Sequence, residues 1–255
     1  MGKLDGQLAW VTGAGSGIGL AGAQALAASG ATVILSGRRS ELVAAGAEAI
    51  RKAGGKADSV AVDVADKVAV AMAAKAILGK HGRIDILVNS AGTNVTKRNW
   101  KDMTVDAFDQ VFSVNLNGAF YAIAAVLPGM RQNKRGTIVN ISSWAGMFDN
   151  ALTGPAYSAS KRAMIAMNHS LNYEECKNGI RACVICPAEV ATPILKTRPV
   201  PPSAEDMAKM LQPDDLGETI RYVCEMPMHA CVNEIIISPT WNRIYIGADD
   251  MKPPK

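Results

Sequence analysis

A tyrosine and a lysine four residues apart carry the most informative chemistry in this sequence, in the segment Tyr157-Ser158-Ala159-Ser160-Lys161. On a helix, side chains with this spacing share one face. A free tyrosine has a pKa of about 10, too high for proton exchange near neutral pH. Because a neighbouring ammonium favours the phenolate, we expect Lys161 to lower the pKa of Tyr157. The pair predicts a tyrosine that exchanges a proton with a ligand, although the same spacing is also typical of a solvated helix face.

Two serines, Ser142 and Ser143, follow an apolar strand pattern at Thr137–Ile141. The carboxyl end of a parallel strand delivers side chains into the ligand cleft of an α/β sheet. Either hydroxyl could therefore lie beside the tyrosine and hydrogen-bond to the same ligand.

A glycine-rich turn follows the first strand pattern, with the sequence Thr12-Gly13-Ala14-Gly15-Ser16-Gly17-Ile18-Gly19. Glycine permits positive φ and lets the backbone approach a pyrophosphate closely. The alanine-rich helix that follows would direct free N–H groups and a partial positive charge towards that anion. The turn predicts a dinucleotide phosphate site, although a tight strand–helix connection uses the same residue types.

Apolar strand patterns alternate with longer helical patterns along the chain. Most of the strand patterns are nearly continuous apolar runs, which are typical of strands buried on both faces. They lie at Leu8–Thr12, Thr32–Ser36, Ala57–Val62, Ile84–Val88, Thr137–Ile141, Ile180–Ile185 and Glu234–Ser238. Helical patterns fall at about 17–29, 40–53, 66–79, 103–130, 156–177 and 213–226. This alternation predicts an α/β, Rossmann-type fold, a doubly wound parallel β-sheet of about seven strands with helices on both faces.

No linker or change in composition divides the sequence, which predicts a single domain over residues 1–255. One irregular segment at about 188–212 is rich in proline. A long loop of this kind is often a flap over a ligand, and otherwise a rigid surface loop. The polar tail Asp249–Lys255 is expected to be frayed.

The composition argues against several classes of protein. The chain has 255 residues, with 27 basic and 23 acidic residues, a net charge of +4 and no run of five basic residues, so nucleic acid is not an expected partner. No run of 18 apolar residues occurs, and Lys3 and Asp5 stand near the start, so we expect neither a membrane span nor a secretory signal. Five scattered cysteines predict reduced thiols and a cytoplasmic location. The histidines lack metal-ligand spacing, so no metal is expected.

Together these motifs resemble the short-chain dehydrogenase/reductase family, over about residues 5–240. The resemblance rests on the glycine turn, Asn89-Ser90-Ala91-Gly92, Asn115, Ser143, Tyr157 and Lys161, in the family's order and approximate spacing. It implies that Tyr157 is the general acid/base and that Ser143 hydrogen-bonds to the substrate oxygen. It implies that Lys161 holds the nicotinamide ribose and lowers the pKa of Tyr157, and that Asn115 positions a water linking Lys161 to solvent. Ser143 fits the family's Ser-x-x-Gly pattern, and Ser142 remains the alternative.

The resemblance also implies a set of residues that bind the cofactor. These are Gly13, Gly15, Ser16, Gly17, Ile18, Gly19, Arg38, Arg39, Asp63, Val64, Asn89, Ala91, Gly92, Tyr157, Lys161, Pro187, Val190 and Thr192. Asp63 could instead cap a helix. Two departures stand out: Ser90 replaces an asparagine of the family pattern, and Ala188 replaces the glycine of Pro-Gly. Because Ala188 has a Cβ, a positive φ would be less favourable there.

The end of the second strand predicts the cofactor. NAD-binding relatives carry an acidic residue where Gly37 stands, and its carboxylate accepts hydrogen bonds from the adenosine ribose. Here that carboxylate is absent and Arg38 and Arg39 follow. Guanidinium groups suit the 2′-phosphate, so NADP(H) is the preferred cofactor, with NAD(H) possible. Alternatively, both arginines are solvated loop charges.

The sequence thus predicts an oxidoreductase that moves hydride between a nicotinamide and a small-molecule carbonyl or secondary alcohol. One alternative is a 3-oxoacyl-thioester reductase of fatty-acid synthesis, for which Arg131, Lys134 and Arg135 would form a docking patch. Another is a non-catalytic nucleotide-binding protein on the same fold. The resemblance further implies a homotetramer that pairs helices 103–130 and 156–177.

Three further groups of residues leave alternatives open. Lys97, Arg98 and Lys101 lie near the rim of the cleft, where a solvated surface is the simpler interpretation. An apolar set could form a substrate wall or only pack a loop: Trp144, Met147, Phe148, Ile194 and Leu195. Cys183 and Cys186 are spaced like a redox or zinc half-site, but on a strand they face opposite sides and are expected to be buried.

Overall fold

One seven-stranded sheet forms the centre of the computed structural model, which describes residues 2–150 and 152–247. The strands are β1 (Leu8–Thr12), β2 (Thr32–Gly37), β3 (Lys56–Ala61), β4 (Ile86–Asn89), β5 (Gly136–Ile141), β6 (Ile180–Pro187) and β7 (Glu234–Ile237). Their order is β3-β2-β1-β4-β5-β6-β7, and every neighbouring pair is parallel. The predicted tail Asp249–Lys255 lies outside the described residues.

Helices cover both faces of the sheet. They are α1 (Gly17–Ala28), α2 (Ser40–Lys52), α3 (Lys67–His81), α4 (Val105–Phe112), α5 (Gly118–Gln132), α6 (Pro155–Glu175), α7 (Ala204–Lys209), α8 (Pro213–Glu225) and α9 (Arg243–Ile246). Residues of α1, α2 and α8 form one hydrophobic core with the sheet, and residues of α3 and α5 form another on the opposite face. The predicted doubly wound Rossmann-type fold is confirmed.

The alternation of side chains along β1 explains the two cores. Ala9 and Val11 join the core under α1 and α2, whereas Leu8 and Trp10 join the core under α3 and α5. All five residues of β1 are buried, as expected for a strand covered on both faces. The strand order reverses at β1, so the crevice between β1 and β4 opens at their carboxyl ends.

Most sequence-predicted elements lie within two residues of their observed bounds, and one helix differs. The segment predicted as a helix over 103–130 is α4, a π-helical turn at Ser113–Asn117 and then α5. The segment Val105–Gln132 is long and apolar enough to cross a membrane. Its apolar residues Ala122, Ile123 and Val126 pack instead into the core against the sheet, as in a core helix.

The proline-rich segment at 188–212 has local structure. A short 3-10 helix forms at Pro193–Thr197 and α7 follows it. An isolated bridge joins Val190 to Leu211, so both ends of the segment lie together. Among the described residues, Lys134 is the one non-glycine residue with positive φ, so Ala188 avoids the conformation that its Cβ would disfavour.

Candidate active site

A cavity of about 740 Å³ opens at the carboxyl ends of the strands. It brings together most of the sequence-predicted site residues: Gly13, Gly15, Ser16, Gly17, Ile18, Arg38, Arg39, Asp63, Val64, Ala91, Gly92, Ser143, Tyr157, Lys161, Pro187, Val190 and Thr192. Gly19, Asn89 and Asn115 do not line it. They lie behind the wall, where they shape and support it.

The two strand-end serines have different environments. Ser142 is buried, and its hydroxyl donates to the backbone oxygen of Lys161 over 2.8 Å, which ties β5 to α6. Ser143 lines the cavity and its side chain interacts with Tyr157, in the first turn of α6. The geometry therefore favours Ser143 over Ser142 as the hydroxyl that faces the tyrosine.

The pKa of Tyr157 differs from the sequence-based expectation. Burial raises this pKa above its usual value, and the interactions with Ser143, Arg198 and Arg98 only partly oppose the increase. The Lys161 ammonium nitrogen lies over the tyrosine ring, 5.7 Å from its centroid, and donates its hydrogen bond to the Ile141 backbone oxygen. A tyrosine in this state holds its proton at neutral pH and can donate it.

Lys161 is a buried cation in the wall of the cavity. Its Nζ donates to the backbone oxygen of Ile141 over 2.8 Å. Burial lowers the pKa of this ammonium to about 8. A Cβ added to Gly92 would lie 3.5 Å from that Nζ, an ordinary van der Waals contact, so the loop after β4 passes directly beside the ammonium.

Asn115 lies within the π-helical turn between α4 and α5 and is fully buried. Its Oδ1 accepts from the Thr93 N–H over 2.7 Å, and its Nδ2 donates to the Thr93 backbone oxygen and to Ser160 Oγ. Such π turns commonly occur at functional sites. Asn115 therefore fixes the loop after β4 to α6, directly behind Lys161.

The glycine turn fits closely against the loop after β4. Gly13 has a φ of +66°, and a Cβ there would lie 2.6 Å from the Ala91 nitrogen. The Thr12 hydroxyl accepts from the N–H groups of Ser90 and Ala91 at 3.3 and 3.4 Å. Ser16 precedes α1 without capping it through its side chain, so the first N–H groups of α1 remain available to an anion.

A buried chain of amides that sequence reasoning missed supports this loop. Asn89 donates to Asn140 over 2.9 Å, and Asn140 donates to Asn168 of α6 over 3.0 Å. All three side chains are buried. Asn140 interrupts an otherwise apolar strand, which is the signal that could have identified it, since buried amides need partners.

The model of the short chain dehydrogenase family matches residues 7–200. The chain belongs to this family. It is an oxidoreductase of the short-chain dehydrogenase/reductase type.

Relatives match this short-chain dehydrogenase over nearly its whole length. An uncharacterized oxidoreductase of Staphylococcus saprophyticus is 35% identical over 238 residues, which cover 93% of this chain and 99% of the relative. A metagenomic short-chain oxidoreductase solved in complex with NADP is 32% identical, with a TM-score of 0.82 and coverage of 94% and 100%. An alcohol dehydrogenase of Thermococcus sibiricus, complexed with 5-hydroxy-NADP, is 25% identical, with a TM-score of 0.83 and coverage of 93% and 98%.

Two cationic residues of the short-chain dehydrogenase lie at the end of β2, where the turn begins. Arg38 and Arg39 are exposed and line the cavity. Arg39 donates to Ser16 Oγ over 3.5 Å. Beside them, after β3, Asp63 accepts from the Ala65 N–H over 3.0 Å, but Asp66 is the residue that caps α3. The helix-cap interpretation of Asp63 is therefore wrong.

The proline-rich segment begins against the glycine turn. A Cβ at Gly17, where φ is +58°, would lie 3.0 Å from Thr192 Cγ2. Thr192 is buried, and its hydroxyl donates to the Val190 backbone oxygen over 3.2 Å. The backbone after Pro187 therefore forms one wall of the cavity beside the start of α1.

The predicted apolar set lies only partly in the cavity, and the two cysteines lie on opposite faces of β6. Trp144, Ile194 and Leu195 line the cavity, whereas Met147 and Phe148 do not. Phe148 packs on Trp144 with ring centroids 5.2 Å apart. Cys183 and Cys186 are buried in different hydrophobic clusters, on opposite sides of β6 as predicted.

The interpretation of Arg98 as a solvated residue is also wrong. Arg98 was expected to be solvated, but only 4% of its surface is exposed, and it lines the cavity. Arg198 lines the same part of the cavity, and both guanidinium groups interact electrostatically with Tyr157. Sequence reasoning missed Arg198 because a single arginine in a proline-rich segment carries no pattern.

Proposed function

We propose that this short-chain dehydrogenase is an NADP(H)-preferring carbonyl reductase or alcohol dehydrogenase that acts through one catalytic domain. The observation that carries the proposal is the single cavity, which places Tyr157 and Ser143 at one end and the glycine turn at the other. Lys161 and Asn115 lie directly behind the tyrosine. A proton donor and a dinucleotide site are thus joined in one space.

The cavity residues fit a dinucleotide. The contacts of Gly13 and Gly17 leave no room for side chains where a pyrophosphate would approach, and the free N–H groups of α1 suit its charge. Lys161 would hold the nicotinamide ribose, and the loop at Asn89 to Gly92 would support the adenine side. When bound, the nicotinamide supplies or accepts the hydride.

Tyr157 and Ser143 would act on the substrate oxygen. Because burial keeps the pKa of Tyr157 above its usual value, the phenol carries a proton at neutral pH. That proton is available to the oxygen of a carbonyl as negative charge develops there. The Ser143 hydroxyl donates to the same oxygen and orients it. In the reverse direction, the phenolate accepts the proton of the alcohol.

The preference for NADP(H) rests on the end of β2. Position 37 carries no carboxylate to bind the ribose hydroxyls or to repel a 2′-phosphate. Arg38 and Arg39 offer charge-assisted hydrogen bonds at that edge of the cavity. NADP in the complex of the metagenomic relative supports the same preference.

The structure weakens the case for a carrier-bound thioester substrate. The proposed docking residues lie at the end of α5, next to the amino end of β5, and therefore at the sheet edge opposite Tyr157. Arg131 instead pairs with Glu175, and Lys134 donates to Asn178 over 2.9 Å. These contacts fit charges at a helix C-terminus.

Replacement of the tyrosine tests the proposed mechanism. Tyr157→Phe should reduce ketone turnover by about 10²–10⁴ while the dissociation constant for NADPH stays within about threefold of wild type, because only the proton donor is lost. Lys161→Met should reduce ketone turnover and also weaken NADPH binding, since the ammonium would contact the nicotinamide ribose. Steady-state rates with a panel of ketones and NADPH fluorescence titration measure the two effects.

Tyr173→Phe serves as the matched control, because Tyr173 is 88% exposed on the same helix and lies outside the cavity. Its turnover should equal that of wild type. A Tyr157→Phe enzyme that retained more than about a hundredth of the rate would place the proton donor elsewhere. Wild-type enzyme that bound NADPH but reduced no ketone would favour a non-catalytic nucleotide-binding protein.

A further inference from the structure

Arg98 is a buried cation on the substrate side of the cavity. Its Nε donates to the Val95 backbone oxygen over 2.8 Å, and its terminal nitrogen contacts the backbone and side-chain oxygens of Thr197. Within residues 2–150 and 152–247, no carboxylate forms an ion pair with it. Burial and the nearby Arg198 lower the pKa of Arg98 to about 10, so it remains charged at neutral pH.

Arg198 lies beside Arg98 and already has a countercharge. It pairs with the buried Glu189 over 2.6 Å, and its own side chain is only 10% exposed. Glu189 also lies 3.7 Å from Arg243. Arg243 also lies 3.8 Å from Asp206. Among the described residues, no carboxylate forms an ion pair with Arg98. A buried charge without a counterion is costly unless a ligand supplies one.

The location of this charge indicates which ligand is missing. Arg98 and Arg198 line the cavity together with Ser143 and Tyr157, and both interact electrostatically with the tyrosine. Arg38 and Arg39 follow β2, whereas Arg98 follows β4 and Arg198 follows β6. The electrostatic contacts of Arg98 are with Arg198 and Tyr157. We therefore assign Arg98 to the substrate side of the cavity and not to the adenosine phosphate.

We propose that the substrate carries a carboxylate that binds Arg98 with support from Arg198, so that the enzyme interconverts an oxo acid and a hydroxy acid. This inference rests on the proposed function. A guanidinium fork matches a carboxylate in shape and charge. A single negative charge fits better than a doubly charged phosphate, because Arg198 is already paired and only Arg98 lacks a countercharge.

The reaction balances without any further reactant. Hydride from NADPH forms the new C–H bond at the carbonyl carbon, while the π electrons of the C=O bond move to oxygen. That oxygen takes the proton of Tyr157, which solvent then restores. NADP⁺ and the hydroxy acid leave, and the carboxylate is unchanged throughout.

A set of matched substrates tests the proposal. Oxopentanoates with the carbonyl at carbon 2, 3 or 4 vary the distance between carboxylate and reacting carbon, and their methyl esters remove the charge. With NADPH, wild type should prefer one of the acids over its ester by at least about tenfold in kcat/KM. Arg98→Met should lower kcat/KM for that acid roughly ten- to a hundredfold, mainly through KM, and leave the ester within about threefold.

Neighbouring exposed lysines provide matched controls for charge. Lys97→Met and Lys196→Met each remove a cation next to one of the two arginines, and neither lysine lines the cavity. Both variants should retain the acid preference. Arg98→Lys should restore part of it. Should Arg98→Met fail to fold by circular dichroism, Arg98→Lys provides the comparison, with a smaller loss for the acid and none for the ester.

The outcomes separate this inference from the proposed function. Equal turnover of acids and esters, or equal loss of both in Arg98→Met, would overturn the inference, leave the reductase intact and make Arg98 a structural link to Thr197. If no compound were reduced, the proposed function would fail, and calorimetry with unreactive pentanoate and pentanamide would still test the site. Pentanoate that bound no more tightly than pentanamide would also overturn the inference that Arg98 binds a carboxylate.

Discussion

At the scale of single residues, what surrounds Tyr157 decides its chemistry. The tyrosine is recognisable from its spacing to Lys161, but its pKa depends on burial and on two arginines far away in sequence. Lys161 donates to the backbone of β5, and its ammonium lies 5.7 Å from the centre of the Tyr157 ring. A phenol that keeps its proton fits the proton-donating role proposed for Tyr157.

Residues at the end of β2 should determine cofactor preference. Gly37→Asp combined with Arg38→Leu should raise the KM for NADPH about tenfold and narrow or reverse its preference over NADH, because a cation is lost and a repelling carboxylate is gained. A Cβ at Gly37 would lie 3.3 Å from Val43 Cγ1, so the Val43 side chain must shift slightly to admit the aspartate. Steady-state kinetics with both cofactors measure the ratio.

Lys52→Leu is the control for this pair of substitutions, because Lys52 is a mostly exposed cation of α2 that does not line the cavity. It should leave both Michaelis constants unchanged. Wild-type kcat/KM with NADH equal to or above that with NADPH would contradict the predicted preference.

At the scale of elements, the proline-rich segment should respond to the cofactor. Its start contacts the glycine turn through Thr192, and Arg98 and Glu189 hold its middle. We predict that residues 191–210 gain protection from hydrogen exchange when NADPH and substrate bind, since closure excludes water from hydride transfer. Mass spectrometry resolves this segment, and peptides from α3 should not change. Equal protection of residues 191–210 with and without NADPH and substrate would contradict closure of this segment.

The ends of α5 and α6 are joined by one ion pair with a defined pH dependence. Hydrogen bonds from Arg131 lower the pKa of Glu175 to about 2. This pKa is depressed in the folded state, so the pair stabilises the fold above about pH 4.3, the usual carboxyl value, and the contribution is lost as the pH falls towards 2.

Glu175→Gln should therefore lower the free energy of unfolding at pH 7, and its deficit should shrink progressively below about pH 4.3. Urea unfolding at a series of pH values measures the difference from wild type. Glu174→Gln is the control, because Glu174 is the exposed neighbour on the same helix and should show no such trend. A deficit that stayed constant down to pH 3 would exclude the ion pair as its source.

At the scale of the whole molecule, α4, α5 and α6 leave apolar side chains on the surface. Phe120 is 54% exposed and Val105 is 76% exposed, whereas Val111, Ala119 and Met164 of the predicted interface lie in the core. We predict that these helices pair between copies of the chain and form a homotetramer. Light scattering should give about four times the chain mass of 26.8 kDa.

Substitution of one exposed phenylalanine tests which surface is used. Phe120→Lys should yield a smaller species, because a charge placed in an apolar interface is costly. Trp100→Lys should not, since Trp100 is 84% exposed and lies outside these helices. A wild-type monomer at micromolar concentration would rule out the assembly.

The sequence by itself determined the fold and the positions of the candidate site. Buried parallel strands are continuous apolar runs, and the glycine turn and the Tyr157 pair are local patterns, so both can be recognised without tertiary contacts. The resemblance to the family then implied roles for Asn115, Ser143 and Lys161 beside the tyrosine. The predicted bounds of β4, Ile84–Val88, differ from the observed bounds, Ile86–Asn89, by up to two residues. The reason is that the apolar pattern begins before the strand pairs with its neighbours.

Only the tertiary structure decided what the site contains beyond those patterns. Arg98 and Arg198 are 100 positions apart and meet because the loop after β4 and the segment after β6 fold over the same cavity. The structure separates Ser142 from Ser143 because the Ser142 hydroxyl already donates to the Lys161 backbone oxygen in α6. Burial and long-range charge are properties of the assembled fold, so no local spacing could predict the pKa of Tyr157 or the environment of Arg98.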